Sequence, residues 1–150
     1  MFGSRARLLT VFGLCVTVAA CPDDDDDESS RCVELDAASC APLYTPTFDN
    51  VYTETLRPRC AVEGGSCHAN PDAVGARNGF WFDTPERAYG VLLGERGDAT
   101  WVVPEDVECS PLMSRLQSDD PFFVMPPGSQ PMPLGVRCSI AQWIASGAER

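Results

Sequence analysis

The chain contains 150 residues with a net charge of −11 at pH 7, and all 11 of its basic residues are arginines. Because 22 acidic residues outnumber them, the chain lacks the cationic surface that neutralises phosphate. This excludes nucleic acid and anionic lipid headgroups as expected partners, whereas a basic protein would be attracted.

The N-terminal residues have the pattern of a secretory signal. Arg5 and Arg7 precede an apolar run at residues 8–20, which is too short to span a bilayer as a stable helix. The run ends in Val-Ala-Ala-Cys21, which resembles a bacterial lipobox and implies cleavage before Cys21 and lipidation of that cysteine. The alternative is an ordinary signal peptide cut nearby, which would leave Cys21 as a free thiol.

This pattern predicts three segments. Residues 1–20 form a lipoprotein-type signal peptide, residues 21–42 an acidic tether and lead-in, and residues 43–150 one domain. The five aspartates at residues 23–27 repel one another and stay solvated, as expected of a tether. No later segment is long and apolar enough to span a membrane, so we expect an exported chain that is lipid-anchored to the bacterial cell envelope, on the periplasmic side or at the cell surface.

The chain has eight cysteines, of which Cys15 belongs to the signal and Cys21 is the expected lipidation site. Six remain in the exported domain, where disulfides or covalent attachment of a cofactor are expected. Six cysteines allow 15 pairings, so the sequence alone does not determine the connectivity. The pairs suggested by neighbourhood and by the later segments are Cys32 with Cys40 and Cys109 with Cys138.

Four helices are predicted, which makes the fold class mainly α. Apolar residues at helical spacing favour the first helix, and Pro58 is expected to close it. Thr84-Pro85 and Ser110-Pro111 are N-cap and first-position pairs for the second and third helices. Long loops rich in proline and glycine separate these elements. The expected helices cover residues 47–56, 85–93, a short stretch from residue 110, and 136–146, with a loop at 70–79 and an aromatic run at 80–82.

The single histidine of the chain directly follows a cysteine, in Cys67-His68. A Cys-His pair is the centre of covalent haem attachment, in which the thiol adds across a haem vinyl group and the imidazole ligates the iron. The usual motif is C-x-x-C-H, but the preceding cysteine here is Cys60, which gives C-x6-C-H. Along a helix this spacing would separate the two cysteines by about 10 Å, so the chain must leave the helix between them.

Three interpretations of this spacing stay open. Both thiols can bond haem across a loop that Gly64-Gly65 would permit. Cys67 alone can bond it, because Gly64 occupies the usual position of the first cysteine. In the third, Cys60 and Cys67 form a disulfide in a haem-free domain.

A methionine in a proline loop, Met125-Pro126-Pro127-Gly128, offers a second axial ligand for such an iron. Ligation by His and Met together raises the reduction potential. Met132, between two prolines, is the competing candidate, and the alternative role for Met125 is to fill a gap in the core.

The order of these motifs resembles the small c-type cytochrome domains of exported bacterial proteins, over roughly residues 48–148. The shared features are the Cys-His pair, a valine-proline step, a serine-leucine helix start (Ser110-Pro111-Leu112), the Met-Pro-Pro loop and a terminal Trp-Ile-x-x-Gly-Ala helix. The resemblance implies haem c, a thioether at Cys67, axial ligands at His68 and Met125, and a structural role for Trp143. It also implies electron transfer with a redox protein partner, and it departs from the family pattern at Cys60.

Other chemistry is less well supported by the sequence. A zinc site built from Cys60, Cys67 and His68 lacks a fourth ligand. A nucleophilic cysteine is normally brought to its histidine by the fold rather than placed beside it. We therefore do not expect an independent enzyme. The alternative function is a haem-free, disulfide-stapled lipoprotein that acts as a binding or structural module.

Overall fold

The computed structural model describes residues 32–62, 67–128 and 130–150. The predicted signal peptide, Cys21, the aspartate run and the Gly64-Gly65 pair lie outside these residues. Within them no helix is long and apolar enough to cross a membrane, and the only strand-like pairing is one bridge between Val103 and Asp106. The mainly α fold class is therefore confirmed. The elements are α1 (Phe48–Asn50), a π-helix (Val51–Cys60), a 3₁₀-helix (Val74–Gly79), α2 (Pro85–Leu92), α3 (Pro111–Gln117) and α4 (Leu134–Ala145).

The first helix is longer than the sequence predicted. It starts at the Thr47 cap, passes from α1 into the π-helix, and continues through Pro58 to Cys60. In an α-helix the Pro58 ring would collide with the carbonyl four residues earlier. The wider π-helix uses bonds between residues five apart, as in the 2.9 Å bond from the Ala61 N–H to the Leu56 carbonyl. The expected stop at Pro58 was wrong because the helix is π-helical from Val51 onward and continues through the proline.

The later helices follow their caps closely. The Thr84 side chain accepts from the Arg87 N–H at 3.2 Å, and Pro85 opens α2 as predicted. Pro111 likewise opens α3, after Ser110. The last helix, α4, begins two residues earlier than residue 136. Residues 74–79, predicted as loop, form the 3₁₀-helix, which is too short to leave a clear periodic signal in a sequence.

One aromatic cluster holds the helices together. Phe48 packs edge-on against Tyr89, with ring centroids 5.0 Å apart, and lies 5.6 Å from Trp143. Trp143 is buried, and its indole N–H donates to the Glu149 carbonyl at 2.7 Å. This satisfied polar atom allows a large side chain to sit inside the core, and it agrees with a structural role for Trp143.

The two disulfides connect partners different from those expected. Cys32 bonds Cys109 and Cys40 bonds Cys138, with Cα–Cα distances of 4.3 and 5.7 Å. The neighbour pairing of Cys32 with Cys40 and of Cys109 with Cys138 was wrong, although the four residues were correctly selected. The reason is that the lead-in does not fold on itself. It runs against later segments, as in the 2.8 Å bond from the Val33 N–H to the Glu108 carbonyl.

Ser139 fastens this lead-in to α4. Its fully buried hydroxyl oxygen accepts from the Leu43 and Tyr44 N–H groups at 2.9 and 3.1 Å. The Leu43 N–H also reaches the Gly135 carbonyl at 2.9 Å. Tyr44 therefore depends more strongly on the hydroxyl than Leu43 does.

We expect Ser139→Ala to lower the free energy of unfolding by about 1–3 kcal/mol, because it removes the acceptor of a partly buried amide. Chemical denaturation of the exported chain measures this. Ser146→Ala is the matched control, since the Ser146 hydroxyl is exposed and bonds only the local Trp143 carbonyl at 2.9 Å. Equal losses in the two variants would contradict this role of Ser139.

Candidate functional site

A cavity of about 560 Å³ lies among the π-helix, the segment after Cys67, α3 and the Met125 loop. Its size is within the range of about 300–1,000 Å³ that small-molecule and cofactor sites occupy. Most of the side chains that line it are apolar or aromatic. The lining residues are Thr55, Leu56, Cys60, His68, Gly75, Arg77, Phe80, Phe82, Ala99, Trp101, Leu112, Arg115, Leu116 and Met125.

The π-helix presents three residues to this cavity. Thr55 and Cys60 are five positions apart, the repeat of π-helical hydrogen bonding, and Leu56 lies next to Thr55. The buried Thr55 hydroxyl is paired with the Tyr44 hydroxyl at 2.6 Å. The π-helical geometry therefore matters for the site, because the helix passes Pro58 and continues as far as Cys60.

His68 is held in one tautomer. Only 8% of the residue is exposed, and its Nδ1 lies 2.9 Å from the Phe80 carbonyl. Because a carbonyl can only accept, Nδ1 carries the hydrogen, and the neutral ring keeps its lone pair on Nε2. A histidine that donates its other ring N–H to a carbonyl is the arrangement typical of a metal ligand.

The surroundings of His68 also favour its neutral form. Burial lowers the pKa of the imidazole, and this outweighs the opposite effect of the Phe80 and Gly75 carbonyls. A neutral imidazole is the form that ligates a metal.

An aromatic wall surrounds the imidazole. The Phe80 and Phe82 ring centroids lie 4.9 and 5.3 Å from the His68 ring, and Phe80 lies 4.3 Å from Trp101. The middle residue of the predicted aromatic run turns away, since Trp81 stacks against Arg87 instead. The alternation at residues 80–82 gives the cavity two aromatic side chains from one short segment.

The chain leaves the helix after Cys60, as the spacing requires. Ala61 has φ −119° and ψ 42°, and the His68 N–H returns to the Cys60 carbonyl at 3.0 Å. This bond brings Cys60 beside the Cys-His pair. Cys60 lines the cavity, whereas Cys67 is not among the lining residues. Both thiols are unbonded, so the alternative disulfide between them is not formed.

The Cys60 thiol is strongly biased toward its protonated form. Burial and, to a smaller extent, the neighbouring Cys67 raise the pKa of Cys60, while Arg59 lowers it, and together they bring it to about 12. The cavity therefore receives an uncharged S–H group at neutral pH.

Of the methionines in the described residues, Met125 is the one that reaches the cavity. It is half-buried, and its N–H donates to the Arg115 carbonyl at 2.9 Å. Met132 is 4% exposed and packs into the main core with Met113, and neither lines the cavity. The structure thus separates two candidates that the sequence left open.

Several lining residues had no signal in the sequence. Gly75 is one, since a Cβ there would lie 2.6 Å from the Cys67 carbonyl oxygen and 2.9 Å from His68 Cε1. Arg77 and Arg115 are two others, because they lie on separate elements and meet only in the fold. Among the described residues no three His, Cys, Asp or Glu side chains form a group that could hold a metal ion.

We expect Gly75→Ala to destabilise the chain by about 1–3 kcal/mol, because its methyl group would displace a backbone carbonyl and the His68 ring. Denaturant unfolding measures this. Gly90→Ala is the control, since the nearest atom there, 3.0 Å away, belongs to the movable Arg96 side chain. If Gly75→Ala left the free energy of unfolding unchanged, the Cys67 carbonyl and the His68 ring would be able to move away without cost, which would contradict this prediction.

We also predict that Cys60 is protected from alkylation. In haem-free chain at pH 8, iodoacetamide should modify Cys60 roughly 100-fold or more slowly in the native state than in urea, because little thiolate is present. Peptide mapping resolves Cys60 from Cys67. Equal native and denatured rates would contradict the burial of this thiol.

Comparison with known proteins agrees with this geometry. Residues 65–129 match a protein family described as Planctomycete cytochrome C. The match covers less than half of the chain, begins after Cys60 and includes Cys67, His68 and Met125. No curated protein and no solved structure matches the chain. The family match supports a cytochrome c-like domain in this chain.

Proposed function

We propose that the cavity holds a c-type haem and that the chain transfers electrons through it. The observation that carries this proposal is that His68, Met125 and Cys60 line one largely apolar cavity. An imidazole, a thioether and a thiol are the groups that ligate and attach such a haem. When bound, the haem would supply an iron that cycles between ferrous and ferric states.

The residues present fit this group. The Phe80 carbonyl orients the His68 ring, so that its Nε2 keeps the lone pair that ligation needs. Phe80, Phe82 and Trp101 would keep water away from a bound haem, and such burial tunes its reduction potential. The Met125 thioether would be the second ligand to the iron.

The unusual spacing would still permit attachment through both cysteines. The bond from the His68 N–H to the Cys60 carbonyl holds Cys60 next to the Cys-His pair. We propose thioethers at Cys60 and Cys67. Attachment through Cys67 alone would be the outcome if the wild type and Cys60→Ala gave the same haem band in pyridine, because one vinyl group would then stay unsaturated in both.

The cellular setting is proposed from the sequence alone. Lipidation at Cys21 would anchor the chain to the bacterial cell envelope, facing the periplasm or the cell surface. From Cys21 onward the chain has 22 acidic residues and 9 arginines, a net charge of −13, which favours a basic redox partner.

A matched pair of methionine variants tests the axial ligation. In the haem-loaded chain, Met125→Leu should lower the reduction potential on the order of 100 mV. A methionine ligand raises the potential of the iron, and leucine cannot ligate it. Met132→Leu, in the core, should leave the potential nearly unchanged. Redox titration measures both. Equal potentials in the two variants would remove Met125 from the ligand set, and a haem-free wild type would favour the stapled binding module.

A further inference from the structure

The charged side chains that line the cavity are positive, whereas the chain as a whole has a net negative charge. Its lining includes Arg77 and Arg115, while none of the described residues that line it is acidic. In a chain with 22 acidic and 11 basic residues, this is a local excess of positive charge. We call Arg77 and Arg115 the arginine pair.

Each arginine belongs to an element that contacts a residue proposed to ligate the iron. Arg77 lies in the 3₁₀-helix two residues after Gly75, which packs on His68. Arg115 lies in α3, and its carbonyl accepts from the Met125 N–H at 2.9 Å. The Arg115 guanidinium is held 3.9 Å from the Phe123 ring and donates to the Phe123 carbonyl at 3.2 Å. The pair is thus built into both sides of the site.

We infer that the arginine pair binds the two carboxylates of the tetrapyrrole, an inference that rests on the proposed haem function. A ligand with an apolar ring body and anionic substituents matches aromatic walls that include two guanidinium groups. Guanidinium is the side-chain group best suited to carboxylates, because its N–H donors can bond both oxygens. The pair would set which edge of the ring faces out and would keep its carboxylates ionised.

The first test uses the haem-loaded chain. Arg77→Gln and Arg115→Gln should each lower the reduction potential at pH 8, because a removed cation no longer disfavours the ferric state. Between pH 5 and 8 their potentials should rise as pH falls, since a carboxylate that has lost its partner takes up a proton there. The other titratable lining groups are His68 and Cys60, both assigned to the haem. Lysine at either position should restore part of the wild-type potential, because it returns the charge without the bidentate donors.

Arg150→Gln is the matched control, because Arg150 pairs with Glu86 and does not line the cavity. It should leave the potential and its pH dependence unchanged. Identical curves for wild type, Arg77→Gln and Arg150→Gln would overturn the inference. Arg77 is exposed, so its variant gives an answer even if Arg115→Gln does not fold.

A second test separates this inference from the haem proposal. Quenching of tryptophan fluorescence, with Trp101 in the cavity wall, reports binding of metal-free protoporphyrin IX and of its dimethyl ester to the haem-free chain. The wild type should bind the dicarboxylate about tenfold more tightly than the ester, and each glutamine variant should lose this preference. Equal binding of both compounds to the wild type would overturn the arginine role while leaving the cavity a tetrapyrrole site. If no haem-loaded chain forms, the haem proposal fails and the preference for the dicarboxylate still decides this inference.

Discussion

The site depends on one hydrogen bond, from the His68 N–H to the Cys60 carbonyl at 3.0 Å. It brings Cys60 beside the Cys-His pair at a spacing that a helix could not accommodate. It also joins the end of the π-helix to His68. The His68 carbonyl in turn accepts a hydrogen bond from the Phe82 N–H at 2.8 Å. The histidine, the aromatic wall and one thiol are therefore positioned by consecutive main-chain bonds. The π-helix contributes by continuing through Pro58, so that Cys60 lies at its end.

Around this bond the chain combines a small aromatic core with two long-range crosslinks. The disulfides connect residues 77 and 98 positions apart, and they hold the lead-in against α4 and the loop before α3. A domain with this many loops gains much from such crosslinks, because they restrict the unfolded chain. The cavity stays open between helices that are otherwise well packed. An apolar cofactor filling it would add the contacts that a continuous core would have provided.

The helix starts were predictable because their signals are local. Thr84-Pro85 and Ser110-Pro111 gave α2 and α3 their beginnings, and the Cys-His pair and the Met-Pro-Pro loop marked two segments of the site. The disulfide partners were not predictable, since proximity along the chain says nothing about where the lead-in packs. The arginine pair was hidden for the same reason, as each member looks like an ordinary surface arginine. The disulfide partners and the arginine pair were missed because their members are far apart in the sequence and only the fold brings them to one place.

The central claim is that this cavity holds a covalently attached haem. The most direct test is an absorption spectrum of the mature domain, reduced and oxidised, after export from a host with haem-attachment machinery and then after denaturation in pyridine. The account predicts a haem band that stays with the denatured chain and whose position reports saturated vinyl groups. A folded but colourless product, from a host that matures an ordinary C-x-x-C-H control, would contradict it.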